Sequence, residues 1–297
     1  MRSPEQSPGY IPGMAEPATY LVTGANRGIG RALAQELARR GGRVVLACRN
    51  LAAGEDAEEA IRRETGNREL YVVELDLASL TAVREAATDL LDRFDRLDVL
   101  VNNAGVFTHE RYQTADGFEL QMGVNHLGHF LFTHELRDLL LASAPARVVT
   151  LTSRAHFRGK LDLAAVEAGG ARPYQGYQAY SDSKLANLLF ALELARRLEG
   201  TRVTSNAVHP GTVNTQMLAD YLHSPPVALD AGIPVEEGAA TPLWAATAPE
   251  LETVTGQYFE HSAVAEPARS ARDPELARRV WAWSLRVTGQ QESDWGS

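Results

Sequence analysis

Two residues four apart, Tyr180 and Lys184, form the pair in this chain best suited to moving a proton. On a helix that spacing places both side chains on one face. A free phenol titrates near pH ~10, and about 4 kcal/mol of differential stabilisation brings it to about 7. An ammonium at ~4 Å supplies about 4 kcal/mol at an effective dielectric of ~20. Lys184 is therefore strong enough to make Tyr180 an acid and base near neutral pH, with burial of the phenolate acting against it. Alone, the pair is also a common decoration of helix surfaces. Its weight comes from a glycine turn far upstream, Thr23-Gly24-Ala25-Asn26-Arg27-Gly28-Ile29-Gly30.

That turn stands between a short apolar strand at 20–22 and a helical stretch at 28–40 with Leu33 and Leu37 on one stripe. Gly24 permits the tight turn, Gly28 lets the backbone approach a pyrophosphate, and Gly30 permits close packing of helix on strand. The helix then offers free N–H groups and a positive dipole end to phosphate, with Asn26 and Ile29 completing the loop. The next strand ends in Ala47-Cys48-Arg49-Asn50, without the carboxylate that an NAD site places on the ribose diol. Arg49, flanked by Asn50 and joined by Arg27, would instead meet a 2′-phosphate. The expectation is NADP(H), with NAD(H) the less favoured form, unless both arginines are merely solvated. Asp76, beside Leu77, ends the third strand and suits either an adenine amino group or a helix N-cap. Asn102, Ala104 and Gly105 end the fourth, where small residues let a flat ring lie against the backbone.

The elements that must position these groups alternate along the chain. Strand-type runs at 20–22, 43–48, 70–75, 97–101, 147–153 and 201–208 are separated by helical patterns at 28–40, 51–65, 80–94, 115–141 and 181–198. The strands are continuous apolar runs, as expected when helices cover both faces of a sheet. The pattern predicts an α/β fold, a single Rossmann-like, doubly wound parallel sheet of about seven strands over residues 18–289. Irregular stretches at 154–179 and 211–235 follow strand C-termini, where open α/β sheets bind ligands. They are expected to recognise substrate, with Phe157, Tyr174 and Tyr177 lining the pocket. Residues 1–17 and 290–297 read as a flexible leader and tail.

Composition narrows the function further. A net charge of -9 without a basic block argues against nucleic acid as a partner. Cys48 is the only cysteine, so neither an internal disulfide nor a cysteine-based metal site forms, in keeping with a reducing cytoplasm. No apolar run approaches the length of a membrane span. His126, His129 and His134 give no full ligand set, and no metal is expected. Trp281 and Trp283 read as packing or subunit-contact residues.

The glycine turn, Asn102-Asn103-Ala104-Gly105, Asn125, Ser153 and Tyr180-x-x-x-Lys184 occur in the order of the short-chain dehydrogenase/reductase family, which the chain resembles over residues 18–262. Ala47-Cys48-Arg49, Val124 to Phe130, Tyr180 to Asn187 and His209-Pro210-Gly211-Thr212-Val213 look like its retinol-dehydrogenase and WW-domain-oxidoreductase branch. The resemblance implies that Tyr180 exchanges a proton with substrate, Lys184 also holds the nicotinamide ribose, Ser153 hydrogen-bonds the substrate oxygen, and Asn125 interrupts its helix to hold a relay water. It implies that Pro210, Gly211, Thr212 and Val213 face the nicotinamide carboxamide, with Thr215 on a phosphate. It further implies a homodimer or homotetramer joined through the helices carrying Asn125 and Tyr180. The expected activity is NADP(H)-dependent interconversion of an alcohol and a ketone or aldehyde, on a small and lipophilic substrate. Two alternatives remain open: a catalytically silent dinucleotide-binding scaffold, and a reductase of C=C or C=N bonds.

Overall fold

A computed structural model of the protein describes residues 17–167, 173–222, 232–292 and 295. Most of the expected leader, Pro225-Pro226 and part of the tail lie outside the described residues. Among the described residues, eight strands form one sheet in the order β3-β2-β1-β4-β5-β6-β7-β8. They are β1 (Thr19–Thr23), β2 (Arg43–Cys48), β3 (Leu70–Glu74), β4 (Val99–Asn102), β5 (Ala146–Leu151), β6 (Val203–His209), β7 (Tyr258–Glu260) and β8 (Ala263–Val264). All pairings are parallel except β7 with β8, a short hairpin at the edge that the apolar-run pattern does not reveal. β1 pairs with both β2 and β4, so the strand order reverses there and opens a crevice above their C-terminal ends.

The main helices are α1 (Gly28–Arg39), α2 (Leu51–Thr65), α3 (Leu80–Arg93), α4 (Leu120–Met122), α5 (Gly128–Glu135) and α6 (Arg137–Ala142). They are followed by α7 (Leu163–Glu167), α8 (Gly176–Arg197), α9 (Gln216–Leu222), α10 (Val235–Thr247) and α11 (Pro274–Thr288). α1, α2 and α10 bury Leu33, Leu37 and Ile61 on one face of the sheet. On the other face lie α3, α5, α8 and α11, around Phe130, Phe190 and Trp281. Both faces are thus covered, which is why the strands carry no polar alternation.

Two helix starts differ from the sequence expectation. The helix expected to begin at 115 starts at Leu120, where the Glu119 carboxylate caps Gln121 and Met122 N–H. Between α4 and α5, Gly123–Leu127 winds wider, with Gly128 N–H reaching back five residues to Gly123 C=O. α8 begins five residues before 181, because Gln178 and Ala179 N–H both bond to Gln175 C=O. Tyr177 therefore belongs to the helix and not to the irregular stretch, and Tyr180 shares the helix with Lys184 as its spacing requires. The 211–235 stretch also contains α9.

Candidate active site

The glycine turn caps β1 at the crevice. Gly24 adopts φ +67°, a left-handed conformation that glycine takes without steric penalty. A Cβ on Gly30 would stand 2.4 Å from Gly24 O and 2.5 Å from Asn103 Nδ2, so only glycine lets α1 approach this closely. Gly24 N–H bonds to Ala47 C=O at 2.7 Å, and Ala25 and Asn26 N–H meet the Cys48 sulfur, whose thiol burial pushes up to about 11. Arg27 precedes α1 without a side-chain cap, leaving the helix N-terminal donors available. Arg27 and Arg49 are exposed, and neither forms an ion pair among the described residues. Asn50 instead caps α2, its Oδ1 accepting Ala53 N–H at 2.9 Å. A dinucleotide therefore suits the turn: bare N–H groups, no Cβ in the way, and two free guanidiniums nearby.

The ends of β3 and β4 carry two revisions. Asp76 does not cap α3; that role falls to Ser79, while Asp76 Oδ1 accepts Ala78 N–H at 2.9 Å beside the buried Leu77. Asn102 is turned inward, its Nδ2 donating to Thr133 Oγ1 at 3.0 Å. Asn103 holds the turn in its place, donating from Nδ2 to Thr23 C=O at 2.6 Å. Ala104 and Gly105 follow, half-buried, and a Cβ on Gly105 would stand 3.5 Å from Lys184 Nζ.

Tyr180 and Lys184 lie one turn apart on α8, both buried. Lys184 Nζ donates to Leu151 C=O at 3.3 Å and stands 5.7 Å from the Tyr180 ring centroid. Burial pushes the Tyr180 phenol up to about 12, partly offset by its hydrogen bond with the Ser153 side chain. Burial likewise pulls the Lys184 ammonium down to about 8. Burial, which opposes the shift expected from Lys184, is the largest influence on the Tyr180 phenol. Ser153 follows β5, and its Oγ also accepts Ala155 N–H at 3.2 Å. Thr152 points the other way, donating to Lys184 C=O at 2.7 Å.

Asn125 sits fully buried in the widened turn. Its Oδ1 accepts Val106 N–H at 2.7 Å, and its Nδ2 donates to Val106 C=O and to Ser183 Oγ at 3.1 and 3.0 Å. The helix interruption expected there is present, and the side chain serves as a strut between the segment that follows β4 and α8.

A cavity of about 490 Å³ opens between Ser153 and Tyr180 on one side and Pro210, Gly211, Thr212 and Val213 on the other. Ile29 and Thr215 also line it, and Thr215 Cγ2 lies 3.5 Å from where a Cβ on Gly28 would stand. Of the three aromatic residues expected in the pocket, Phe157 lines it. Tyr174 does not; its hydroxyl donates to Glu119 Oε1 at 2.8 Å and accepts from Gln121 Nε2 at 2.9 Å. Tyr177 sits outside the cavity wall, its hydroxyl donating to Tyr221 C=O at 2.7 Å. The wall includes residues the sequence reading missed: Met217, Leu218 and Tyr221 from α9, with Arg154, Arg158 and His209. Met217 Sδ lies 3.7 Å from Tyr180 Oη. The only available signal for α9 was its position after a strand C-terminus.

The three histidines are engaged separately: His126 Nε2 with Ser284 Oγ at 2.7 Å, His129 with Thr23 and Asn125, and His134 against Phe130 and Trp295. α11 lies across α8 and the widened turn, with Trp283 stacked on His126 and Trp281 on Phe190. The face expected to meet a partner subunit is therefore covered by the chain's own C-terminal helix.

A parallel doubly wound sheet, a phosphate-ready glycine turn and a half-buried Ser153 beside the buried Tyr180–Lys184 pair make up a nucleotide-dependent oxidoreductase site. The short chain dehydrogenase family model matches residues 18–225, and the chain belongs to that family, in the branch of the retinol dehydrogenases. It is 44% identical to human retinol dehydrogenase 13 over 292 residues, covering 95% of this chain and 87% of that protein. It is 45% identical to human dehydrogenase/reductase SDR family member 13 over 277 residues, covering 91% and 73%. Among solved structures, a putative uncharacterised protein from Mycobacterium paratuberculosis superposes with TM-score 0.76 at 35% identity, covering 93% and 97%. A putative short chain dehydrogenase from Escherichia coli, complexed with NADPH, gives TM-score 0.65 at 26% identity, covering 82% and 95%. The protein is an oxidoreductase of alcohols or carbonyls that binds a nicotinamide dinucleotide.

Proposed function

We propose that the protein interconverts a lipophilic alcohol and its ketone or aldehyde with NADP(H), using Tyr180 as the acid and base. The observation that carries this reading is a buried phenol beside the Ser153 side chain, one helical turn from a buried lysine, at the mouth of a nucleotide crevice. The nicotinamide, when bound, supplies or accepts the hydride. Gly24, Asn26, Gly28, Ile29 and Gly30 would hold the pyrophosphate, while Arg27 and Arg49 would hold the 2′-phosphate that distinguishes NADP(H). Asp76 and Leu77 would meet the adenine. Ala104, Gly105, Pro210, Gly211, Thr212, Val213 and Thr215 would flank the rest, and Lys184 would hold the ribose hydroxyls.

During reduction, Ser153 Oγ orients the carbonyl oxygen and steadies its developing charge. Tyr180 Oη then gives that oxygen its proton, completing the alcohol. Lys184 keeps positive charge beside the phenolate left behind. Apolar side chains of Ile29, Phe157, Val213, Met217 and Leu218 in the cavity wall favour a lipophilic substrate, in keeping with the names of the relatives. No helix among the described residues is long and apolar enough to cross a membrane. The buried, unpaired Cys48 thiol suits a cytoplasmic setting. Self-association as a dimer or tetramer would use surfaces other than the face under α11.

The test is Tyr180→Phe. NADPH binding, followed by fluorescence, stays within about twofold of the parent while kcat falls about 10²–10⁴-fold, the range expected for losing a positioned acid. Near-normal turnover in that variant refutes the role given to Tyr180.

A further inference from the structure

His129 on α5 is buried to 1% exposure, and both of its ring nitrogens are bonded. Nδ1 lies 3.0 Å from the main-chain carbonyl oxygen of Asn125, and Nε2 lies 2.9 Å from Thr23 Oγ1. A carbonyl can only accept, so Nδ1 carries the proton. Burial pulls the imidazole down to about 4, aided by the nearby charge of Lys184, so the ring is neutral and Nε2 is bare. The Thr23 hydroxyl must then donate to Nε2. With its proton committed there, the Thr23 oxygen accepts Asn103 N–H and Ala104 N–H, both at 2.9 Å. Val101 C=O lies farther from Thr23 Oγ1, at 3.4 Å, so the shorter contact to Nε2 takes the hydroxyl proton.

The chain of bonds continues past Asn125. Asn125 Nδ2 donates to Ser183 Oγ, and the Ser183 hydroxyl donates to Tyr180 C=O at 2.8 Å. Thr23 ends the strand that launches the glycine turn, and Tyr180 is the proposed acid. A core histidine needed only for packing could be replaced by an apolar ring. This one joins three elements whose relative placement decides where a dinucleotide lies with respect to Tyr180. Networks with every member satisfied rigidify the site they surround.

We propose that His129 is a positioning residue, clamping the Asn125 carbonyl to Thr23 so that the nucleotide turn and the helix carrying Tyr180 keep one geometry. The role rests on the hydride-transfer reading given above. Its place four residues after Asn125 gives no hint of this in sequence, since partners and tautomer depend on the fold.

The test compares His129→Leu, His129→Gln and Thr23→Val in the full chain. A glutamine amide can donate to Asn125 and accept from Thr23; leucine can do neither. At saturating NADPH and carbonyl, His129→Leu and Thr23→Val lower kcat roughly 10–100-fold, the scale of a misplacement of about 1 Å. His129→Gln keeps kcat within about threefold of the parent. The double variant Thr23→Val/His129→Leu falls no further than its worse single, because both cut the same link. Thermal melting of each variant confirms that the folded state is what turns over. If His129→Leu does not fold, Thr23→Val against His129→Gln carries the comparison. Nitrogen NMR of the parent protein, labelled at histidine, reads the tautomer independently of activity, and a proton on Nε2 overturns the clamp. Parental kcat in both His129→Leu and Thr23→Val also overturns it. A parent protein that binds NADPH yet turns over no carbonyl defeats the functional reading instead, leaving the clamp to be judged by the tautomer.

Discussion

Burial of Lys184 has a kinetic consequence that can be worked out in sign and size. Its ammonium is pulled down to about 8, whereas the Tyr180 phenol is pushed up to about 12. Below pH 8 both groups are protonated, which is the form needed to donate a proton to a carbonyl. With a pKa near 8, Lys184 is about nine-tenths charged at pH 7 and about one-tenth charged at pH 9. Carbonyl reduction, measured as kcat/KM from the loss of NADPH absorbance, should be level from pH 6 to 7.5. Above pH 8 it should fall about tenfold per unit. Alcohol oxidation needs the phenol to have lost its proton, so it should rise about tenfold per unit from pH 6 to 8. NADPH binding measured at each pH separates loss of charge from loss of cofactor. A reduction profile flat to pH 10, with binding unchanged, would show that the Lys184 charge plays no part. A Lys184→Met variant whose residual activity keeps the same alkaline fall would assign that fall to another group.

Two further outcomes follow from the same geometry. Arg49→Ala should weaken NADPH binding roughly tenfold and leave NADH binding unchanged; solvent exposure keeps the effect near the low end for a charge-assisted bond. Equal loss for both cofactors, read by fluorescence titration, would remove Arg49 from the 2′-phosphate site. Trp281→Ala should destabilise the fold by about 3–5 kcal/mol in denaturant unfolding, because the indole is buried, stacks on Phe190 and carries the Arg197 guanidinium 4.4 Å above its ring. A loss below about 1 kcal/mol would mean that α11 is not a tightly packed cover.

The residues that local chemistry dictates were legible in the sequence, and those that tertiary neighbours dictate were not. The Gly24-to-Gly30 turn requires glycine because backbone must approach backbone, so its spacing survives as a readable pattern. Tyr180 and Lys184 are linked by helical period alone. Ser153 and Thr152 were separable because a strand turns successive side chains to opposite faces. By contrast, nothing in the order Asn102-Asn103 says which amide turns inward to Thr133 and which holds Thr23. Tyr174 looked like a pocket residue because it is aromatic and lies near Ser153. Its hydroxyl is instead taken by Glu119, 55 residues away in sequence. Met217 was hidden for a related reason: α9 has too little apolar periodicity over its seven residues to stand out.

The electrostatic difference between expectation and structure bears on the direction of the reaction. Coulomb attraction alone suggested a phenol poised near neutrality, but one desolvating cleft acts on both partners and moves their titrations toward the neutral forms. Bringing Tyr180 from about 12 to 7 requires about 7 kcal/mol. A single ammonium at ~4 Å gives about 4 kcal/mol at an effective dielectric of ~20. An ammonium of that strength offsets only part of the burial that raises the phenol. On the mechanism proposed above, Tyr180 would then act as the donor in carbonyl reduction at neutral pH, and alcohol oxidation would gain from higher pH or added positive charge.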